Sequence, residues 1–194
     1  MTAAVVFDAL GTLLDLGRRE RSAELIRTLH HATSLTLAGE FAPLADIARA
    51  VDPGLADAIA EAEAYTDAQE ALGVLAEAGV PAYVLTNGGA DSTRELLRRS
   101  GLLDSIADVF SVEDVRRYKP DPAPYAHAAR AIGLEPRRIT LVAAHAWDVL
   151  GARNAGLDHI WVDRRDEGWP LPLEPPAHRA GDLVTAARIA TASR

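Results

Sequence analysis

The sequence predicts an α/β fold: a doubly wound, mostly parallel sheet with helices on both faces and a small helical cap inserted after the first strand. Two observations lead to this prediction. Short continuous apolar runs that end at polar or small residues recur along the chain, and such runs are typical of strands buried on both faces of a parallel sheet. Helical stretches with start and stop residues lie between these runs, and this alternation is the pattern of doubly wound sheets.

Four apolar runs are the predicted strands, and each stops just before polar residues. They are Ala3–Phe7, Pro81–Leu85, Ile139–Ala143 and His159–Val162. The predicted core helices are Asp67–Ala78, with Thr66 and Asp67 as its cap, and then Asp91–Ser100, Pro122–Ile132 and Trp147–Ala155, each of these three closed by a glycine. Threonine or aspartate before a helix and glycine after it are common capping residues.

The segment after the first strand has no strand-like run. Gly17–Glu63 instead carries apolar residues at helical spacing, such as Leu25 with Leu29, and is expected to form roughly two to four helices. We therefore expect residues 1–15 and 66–194 to form the α/β core and residues 16–65 to form a helical cap. The proline-rich stretch Trp169–Pro176 is expected to cross the surface before a last helix near Leu183–Ala190.

Composition restricts the classes of function. The length of 194 residues suits one domain with an insert, and a net charge of −8 argues against general binding to nucleic acid or anionic membranes. The absence of cysteine excludes disulfides, a thiolate nucleophile and Cys-ligated metals. Asp8 and Asp15 stand where a signal peptide would carry basic residues, and no apolar run is long enough to span a bilayer, so a cytoplasmic protein is expected.

Several polar residues are expected to meet at one edge of the sheet, because ligands of open α/β sheets bind beyond the carboxyl ends of the strands. They are Asp8 after the first predicted strand, Thr86 and Asn87 after the second, His145 and Asp148 after the third, and Lys119 in a proline-bounded segment. All of the 20 Lys and Arg residues except Lys119 are Arg, and an ammonium is a compact charge that can lie against a single carboxylate. A strand-end carboxylate beside that ammonium would stay ionised and could act as a nucleophile.

The motifs FDALGTLLD, VLTNG, YKPDP and LVAAHAWD, in this order, resemble those of the haloacid dehalogenase superfamily of aspartate-nucleophile hydrolases. The resemblance implies that Asp8 is the nucleophile. Leu10 stands where phosphatases of this superfamily carry a second Asp that protonates the leaving alcohol. Ala144 stands where they usually carry an acid that helps to hold magnesium. A halide leaves as a stable anion without a proton, so Leu10 favours dehalogenation over phosphate-ester cleavage.

The closer resemblance is to the L-2-haloacid dehalogenase branch, which works without a metal or other cofactor. It implies that Asp8 displaces the halide from a short 2-haloalkanoic acid, and that water then hydrolyses the aspartyl ester to a 2-hydroxy acid of inverted configuration. By the same resemblance Lys119 pairs with Asp8 and Asp148 orders its loop. His145 is the best candidate to take the proton of the water. The residues expected to contact substrate are Leu10, Thr12, Arg27, Thr86, Asn87, Tyr125 and Trp147.

In this resemblance, hydroxyl or backbone groups of Thr12 and Thr86 contact the substrate carboxylate, and Asn87 faces the departing halide. Arg27 is the nearest candidate for the arginine that the family's cap supplies to the halide. Tyr125 and Trp147 are expected to be wall residues. The expected partner is a small carboxylate, with no nucleic acid or membrane, and a homodimer is left open.

Two alternatives stay open. One is a magnesium-dependent phosphatase of the same superfamily that tolerates Leu10. The other is a catalytically weakened member that binds a small acid or another protein, because Leu10 stands where the dehalogenases commonly have Tyr and Ala143 where they have Ser. His145 stands where many of them have Asn.

Overall fold

The structure is a computed structural model, and it describes residues 2–17, 22–164 and 167–192. The strands are β1 (Ala4–Asp8), β2 (Leu14–Asp15), β3 (Glu63–Ala64), β4 (Ala82–Thr86), β5 (Asp108–Ser111), β6 (Ile139–Ala143), β7 (Asp158–Val162) and β8 (Arg179–Ala180). The α-helices are α1 (Ser22–Ala38), α2 (Leu44–Val51), α3 (Pro53–Ala60), α4 (Ala68–Glu77), α5 (Ala90–Arg99), α6 (Pro122–Ile132), α7 (Ala146–Asn154) and α8 (Leu183–Ala192).

The main sheet has six strands in the order β5-β4-β1-β6-β7-β8, and every neighbouring pair in it is parallel. β1 lies between β4 and β6, where Phe7 is in register with Val84 on one side and Val142 on the other. The carboxyl ends of these three strands therefore lie side by side. The predicted α/β sheet is confirmed.

Alternate residues of the strands supply the two faces of the core. Val5 and Phe7 pack with residues of α4, α5 and α8, whereas Val6 packs with Tyr125 of α6 and Val149 of α7. All five side chains are buried, and burying an aliphatic or aromatic side chain of this size contributes about 1.5–3 kcal/mol. Helices cover both faces, as predicted.

The helices α1, α2 and α3 lie between β2 and β3, which pair antiparallel with Leu14 opposite Ala64. Apolar residues of this segment, Leu44 among them, pack against Tyr118 of the core, and the Tyr118 hydroxyl donates to the Ala42 carbonyl at 2.6 Å. The helical segment thus holds the residue next to Lys119. Among the described helices, none is both long enough and apolar enough to cross a membrane.

Three features differ from the predictions. The paired strands β2 and β3, of two residues each, were not predicted, since two residues form no recognisable apolar run. The edge strands β5 and β8 were not predicted, because they are short and lack a continuous apolar run: β5 begins at the exposed Asp108 and β8 has two residues. Asp67 occupies the N-cap position of α4, but its side chain makes no capping hydrogen bond. Its carboxylate instead binds Arg164 and the backbone N–H of Leu183, so its predicted capping role was wrong.

Candidate active site

Asp8 is the last residue of β1 and lies on the central strand of the sheet, with 4% of its surface exposed. Both of its carboxylate oxygens are engaged. Lys119 Nζ donates to Oδ1 at 2.8 Å, and the Thr12 hydroxyl donates to Oδ2 at 2.9 Å. His145 Nδ1 lies 3.0 Å from the same Oδ2. Three polar partners fix the orientation of this buried carboxylate and favour its ionised form.

Lys119 lies between two carboxylates. Its Nζ donates to Asp8 Oδ1 at 2.8 Å, to Asp148 Oδ2 at 2.7 Å and to the backbone carbonyl of Leu85 at 2.8 Å. An ammonium group has three protons, and here each of them has an acceptor. The side chain has no exposed surface, so the two carboxylates and the carbonyl take the place of its hydration shell.

The buried charges shift one another's protonation. Burial raises the pKa of Asp8, but the Lys119 ammonium and the His145 hydrogen bond outweigh burial and hold that pKa well below its usual range. Burial lowers the pKa of Lys119, and the carboxylates of Asp148 and Asp8 more than reverse this effect, so its pKa is raised. Burial raises the pKa of Asp148 despite the opposing charge of Lys119. Of the two carboxyls, Asp8 is the one that stays ionised over the wider pH range.

Asp148 lies in the first turn of α7, and other side chains occupy both of its carboxylate oxygens. Lys119 donates to Oδ2, and the Tyr125 hydroxyl donates to Oδ1 at 2.5 Å. Burial and the adjacent carboxylate raise the pKa of Tyr125 well above its ordinary value, so the hydroxyl keeps its proton and remains a donor. Asp148 is linked to Asp8 through Lys119, and its geometry suits the task of holding the ammonium in place.

His145 precedes α7, and its ring stacks on Trp147 with centroids 5.1 Å apart and planes 24° apart. Because an ionised carboxylate oxygen can only accept, the contact with Asp8 requires a proton on Nδ1, which leaves Nε2 free to accept a proton in the neutral ring. The turn after β1 makes room for this ring. Gly11 has a φ of +82°, and a Cβ at that position would lie 2.7 Å from His145 Cε1.

Thr86 is the last residue of the neighbouring strand β4 and Asn87 follows it, and protein groups already engage their oxygens. The Thr86 hydroxyl accepts the backbone N–H of Gly88 at 2.9 Å, and the Asn87 side-chain carbonyl accepts the backbone N–H of Lys119 at 3.1 Å. Asn87 therefore positions the lysine segment with its oxygen, and its NH₂ group is the end that can meet a ligand.

A cavity of about 20 Å³ adjoins Asp8, which is room for about one water molecule. Its lining comes from the core and from the helical segment: Asp8, Leu10, Leu25, Leu29, Leu44, Thr86, Asn87, Gly88, His145 and Trp147. A second cavity of about 820 Å³ shares Leu25, Leu29, His145 and Trp147 with the first. The carboxylate thus faces a small space with mostly apolar walls, beside a larger space that reaches His145.

Most of the predicted site residues come together at the sheet edge. Thr12 and Tyr125 are fully buried there and line neither cavity, because the Thr12 hydroxyl binds Asp8 and the Tyr125 hydroxyl binds Asp148, so Tyr125 is not the wall residue that was predicted.

Arg27 lies away from this edge. Arg27 is exposed and lines neither cavity, because it lies on the opposite side of α1 from Leu25 and Leu29. The Arg27 side chain therefore does not face the space beside Asp8. Leu25, Leu29 and Leu44 were not predicted as site residues. Their helical spacing was the available signal, but it marks a buried face without saying what that face covers.

The residues around Asp8 do not fit a magnesium site. Magnesium takes oxygen ligands in an octahedral arrangement, and neither Leu10 nor Ala144 offers a side-chain oxygen. The Lys119 ammonium bridges the carboxylates of Asp8 and Asp148. Across residues 2–17, 22–164 and 167–192, no three His, Asp or Glu side chains are grouped so that they could hold a metal ion.

Proteins of known family resemble this chain in sequence and in fold. The family described as haloacid dehalogenase-like hydrolase matches residues 17–156. (S)-2-haloacid dehalogenase 1 of Pseudomonas sp. (strain CBS-3) is 30% identical over 93% of this chain and 92% of its own length. The solved L-2-haloacid dehalogenase of Xanthobacter autotrophicus has a TM-score of 0.86 and 26% identity, covering 97% of this chain and 98% of that one. Its structure with chloropropionic acid covalently bound has a TM-score of 0.86 and 25% identity, with the same coverage.

Proposed function

This chain belongs to the haloacid dehalogenase-like hydrolases, and we propose that it hydrolyses short 2-haloalkanoic acids to 2-hydroxy acids through a covalent ester on Asp8, without a metal ion. The observation that carries this proposal is the buried Asp8 carboxylate, paired with Lys119 at 2.8 Å beside a small apolar-walled cavity. A carboxylate that is ionised, oriented and shielded from bulk water is a competent nucleophile. The substrate class comes from the relatives, which are named as 2-haloacid dehalogenases.

In the first step an Asp8 oxygen bonds to carbon 2 of the substrate from the side opposite the halogen. The carbon–halogen bond breaks, and the halide leaves with the bonding electron pair. No proton moves in this step, which agrees with an apolar Leu10 beside the nucleophile. Lys119 keeps Asp8 ionised, and the NH₂ group of Asn87 meets the departing halide. Attack from behind inverts the configuration at carbon 2.

In the second step water adds to the carboxyl carbon of the Asp8 ester. His145 takes a proton from this water and passes it to the oxygen of the departing 2-hydroxy acid. Asp8 is regenerated with one oxygen from water, and it loses the remaining proton to solvent because its pKa is held low. The full cycle consumes one water molecule per substrate and releases one halide ion and one proton. Asp148, held by Tyr125, keeps Lys119 in place in both steps.

The remaining predicted residues form the compartment for the substrate. Thr86 contacts its carboxylate through hydroxyl or backbone groups, and Trp147 forms a wall. Residues 16–65 act as the cap over the core formed by residues 1–15 and 66–194. Leu25 and Leu29 of this cap keep bulk water away from Asp8 while the halide is displaced.

The test is halide release from chloroacetate and L-2-chloropropionate, with and without a chelator, by the wild-type protein and by Asp8→Asn. We expect halide and 2-hydroxy acid in equal amounts, no effect of the chelator, and no turnover by the folded Asp8→Asn protein. Chelator-sensitive release of phosphate from a phosphate ester, without halide release, would establish the phosphatase alternative. Failure to turn over either kind of substrate would establish the weakened, ligand-binding alternative.

A further inference from the structure

Arg164, just after β7, joins parts of the molecule that the mechanism above does not use. Its Nη2 donates to the backbone carbonyl of Thr12 at 2.7 Å. The guanidinium also forms a two-pronged ion pair with Asp67, at 3.1 and 3.3 Å, and lies over the ring of Tyr65 with 3.8 Å to the ring centroid. The Arg164 side chain is 18% exposed and the Asp67 side chain 19%, so the ion pair is largely shielded from solvent.

Tyr65 and Asp67 lie where the helical segment rejoins the core, between β3 and α4. The backbone N–H of Tyr65 donates to the Leu13 carbonyl at 2.9 Å. The Asp67 carboxylate accepts the backbone N–H of Leu183 in α8 at 2.8 Å. This connection is therefore bound both to the loop that follows the nucleophile and to the last helix, and Arg164 is the cation at its centre.

Thr12 connects Arg164 to Asp8 through hydrogen bonds. Its backbone carbonyl accepts from Arg164, and its hydroxyl donates to Asp8 Oδ2 at 2.9 Å. The same hydroxyl accepts the backbone N–H of Ala144 at 3.0 Å. Because the carbonyl and the hydroxyl belong to one residue, a shift of its backbone moves the hydroxyl away from the carboxylate. A displacement of about 1 Å at a reacting group can cost about 100-fold in rate.

We propose that Arg164 is a positioning residue: it fixes the Thr12 carbonyl to the connection formed by Tyr65 and Asp67, so that the Thr12 hydroxyl holds Asp8 in the orientation for attack. This inference rests on the proposed function, since the orientation of Asp8 matters only if Asp8 reacts. A guanidinium suits the task because its planar fork can bind a carboxylate and a carbonyl together. A lysine at the same place would present a single nitrogen to both partners.

The test is a double-mutant cycle on kcat and KM for L-2-chloropropionate, with Arg164→Gln, Thr12→Val and the double variant. Arg164→Gln should lower kcat by about 10- to 100-fold with little change in KM. In the Thr12→Val protein the same substitution should change kcat by less than about 2-fold, because the hydroxyl through which Arg164 acts is already missing. Arg164→Lys should restore little of the lost kcat, since it keeps the charge but lacks the fork.

Arg179→Gln is the matched control. Arg179 also pairs with a buried carboxylate, Asp163 at 2.8 Å, and lies over the ring of Trp161 at 5.8 Å. We expect the kcat of Arg179→Gln to stay within about 2-fold of the wild-type value, because the loss of the Arg179 side chain should not move Thr12. Thermal unfolding of every variant shows which ones are folded. If Arg164→Gln does not fold, Asp67→Asn takes its place in the cycle, with a smaller loss of kcat that also disappears in the Thr12→Val protein.

The outcomes separate this inference from the proposed function. If the wild-type protein turns over L-2-chloropropionate but Arg164→Gln has an unchanged kcat, the positioning role is wrong and the proposed function stands. An equal loss of kcat in the wild-type and Thr12→Val backgrounds assigns Arg164 a general structural role and also overturns the inference. If the wild-type protein releases no halide, both are overturned.

Discussion

At the scale of single residues, Lys119 controls the electrostatics of the site. Its removal should destabilise the fold by an amount that depends on pH. Lys119→Met leaves Asp8 and Asp148 as neighbouring buried carboxylates without a cation between them. We expect loss of activity and a decrease of about 3–5 kcal/mol in the free energy of unfolding at neutral pH. Without the ammonium, burial and mutual repulsion raise the folded-state pKa of a carboxyl above its unfolded value, so the destabilisation decreases as the pH falls and that carboxyl takes up a proton.

Urea unfolding of this variant at pH ~7.5 and pH ~5 measures the effect relative to the wild-type protein. In the wild-type protein the pKa of Asp8 is lower in the folded state than in the unfolded state, so Asp8 stabilises the fold at pH values above its unfolded-state pKa. This stabilisation is lost as the pH falls toward the folded-state pKa. Arg98→Met is the control, because Arg98 pairs with Glu95 at the exposed surface. If Lys119→Met is equally destabilised at both pH values, Lys119 does not control the protonation of the two buried carboxyls.

His145 separates the two chemical steps. Its replacement in His145→Asn should leave the displacement of halide intact, because that step needs Asp8, Lys119 and a halide site but no proton acceptor. Hydrolysis of the ester should stall. We expect a burst of about one halide per enzyme followed by slow turnover, with added mass on the peptide that contains Asp8. Steady turnover without a burst would mean that another group activates the water and that His145 is a structural residue.

At the scale of elements, the turn after β1 shapes the site through Gly11. Gly11→Ala places a methyl group 2.7 Å from His145 Cε1 and forces a non-glycine residue to a φ of +82°. We expect a destabilisation of about 1–2 kcal/mol, and a larger loss of ester hydrolysis than of halide displacement because the ring is pushed off Asp8. Thermal unfolding and burst kinetics measure the two effects.

Gly39→Ala is the matched control, since Gly39 has a φ of +76° and nothing lies within 4 Å of the added methyl group. This variant should lose a similar amount of stability and keep both chemical steps. If the two alanine variants have the same activity, the close approach of Gly11 to His145 is not required for catalysis.

The elements that could be predicted are those whose own sequence shows a simple pattern of apolar and polar residues. β1, β4, β6 and β7 are apolar runs that end at polar residues, and the helices between them carry capping residues or closing glycines. The edge strands β5 and β8 could not be predicted in this way, because an edge strand is paired on one side and has no need of a continuous apolar run. β5 is recognised as a strand from its pairing with β4, which is a contact between distant segments.

At the scale of the whole molecule, the site was predictable wherever the parallel sheet brings strand ends together. Asp8 ends one strand and Asn87 and His145 follow its two neighbours, so the strand order places them at one edge. Lys119 lies on none of these strands, and its pairing with Asp8 was expected from the family resemblance. Arg164 and Thr12 are 152 residues apart in the chain, and no sequence pattern links them. The position of Arg27 did follow from the sequence, since the helical spacing of Leu25 and Leu29 marks the buried face and Arg27 lies on the opposite one.

A single turnover in H₂¹⁸O decides whether Asp8 forms the covalent bond to substrate. The wild-type enzyme is mixed in excess over L-2-chloropropionate, and mass spectrometry follows both the 2-hydroxy acid and the peptide that contains Asp8. In the covalent route the product takes its hydroxyl oxygen from Asp8, and water restores the carboxylate. The covalent mechanism predicts an unlabelled product and one ¹⁸O in Asp8. A labelled product with an unlabelled Asp8 would mean that water attacks the substrate directly, and would contradict it.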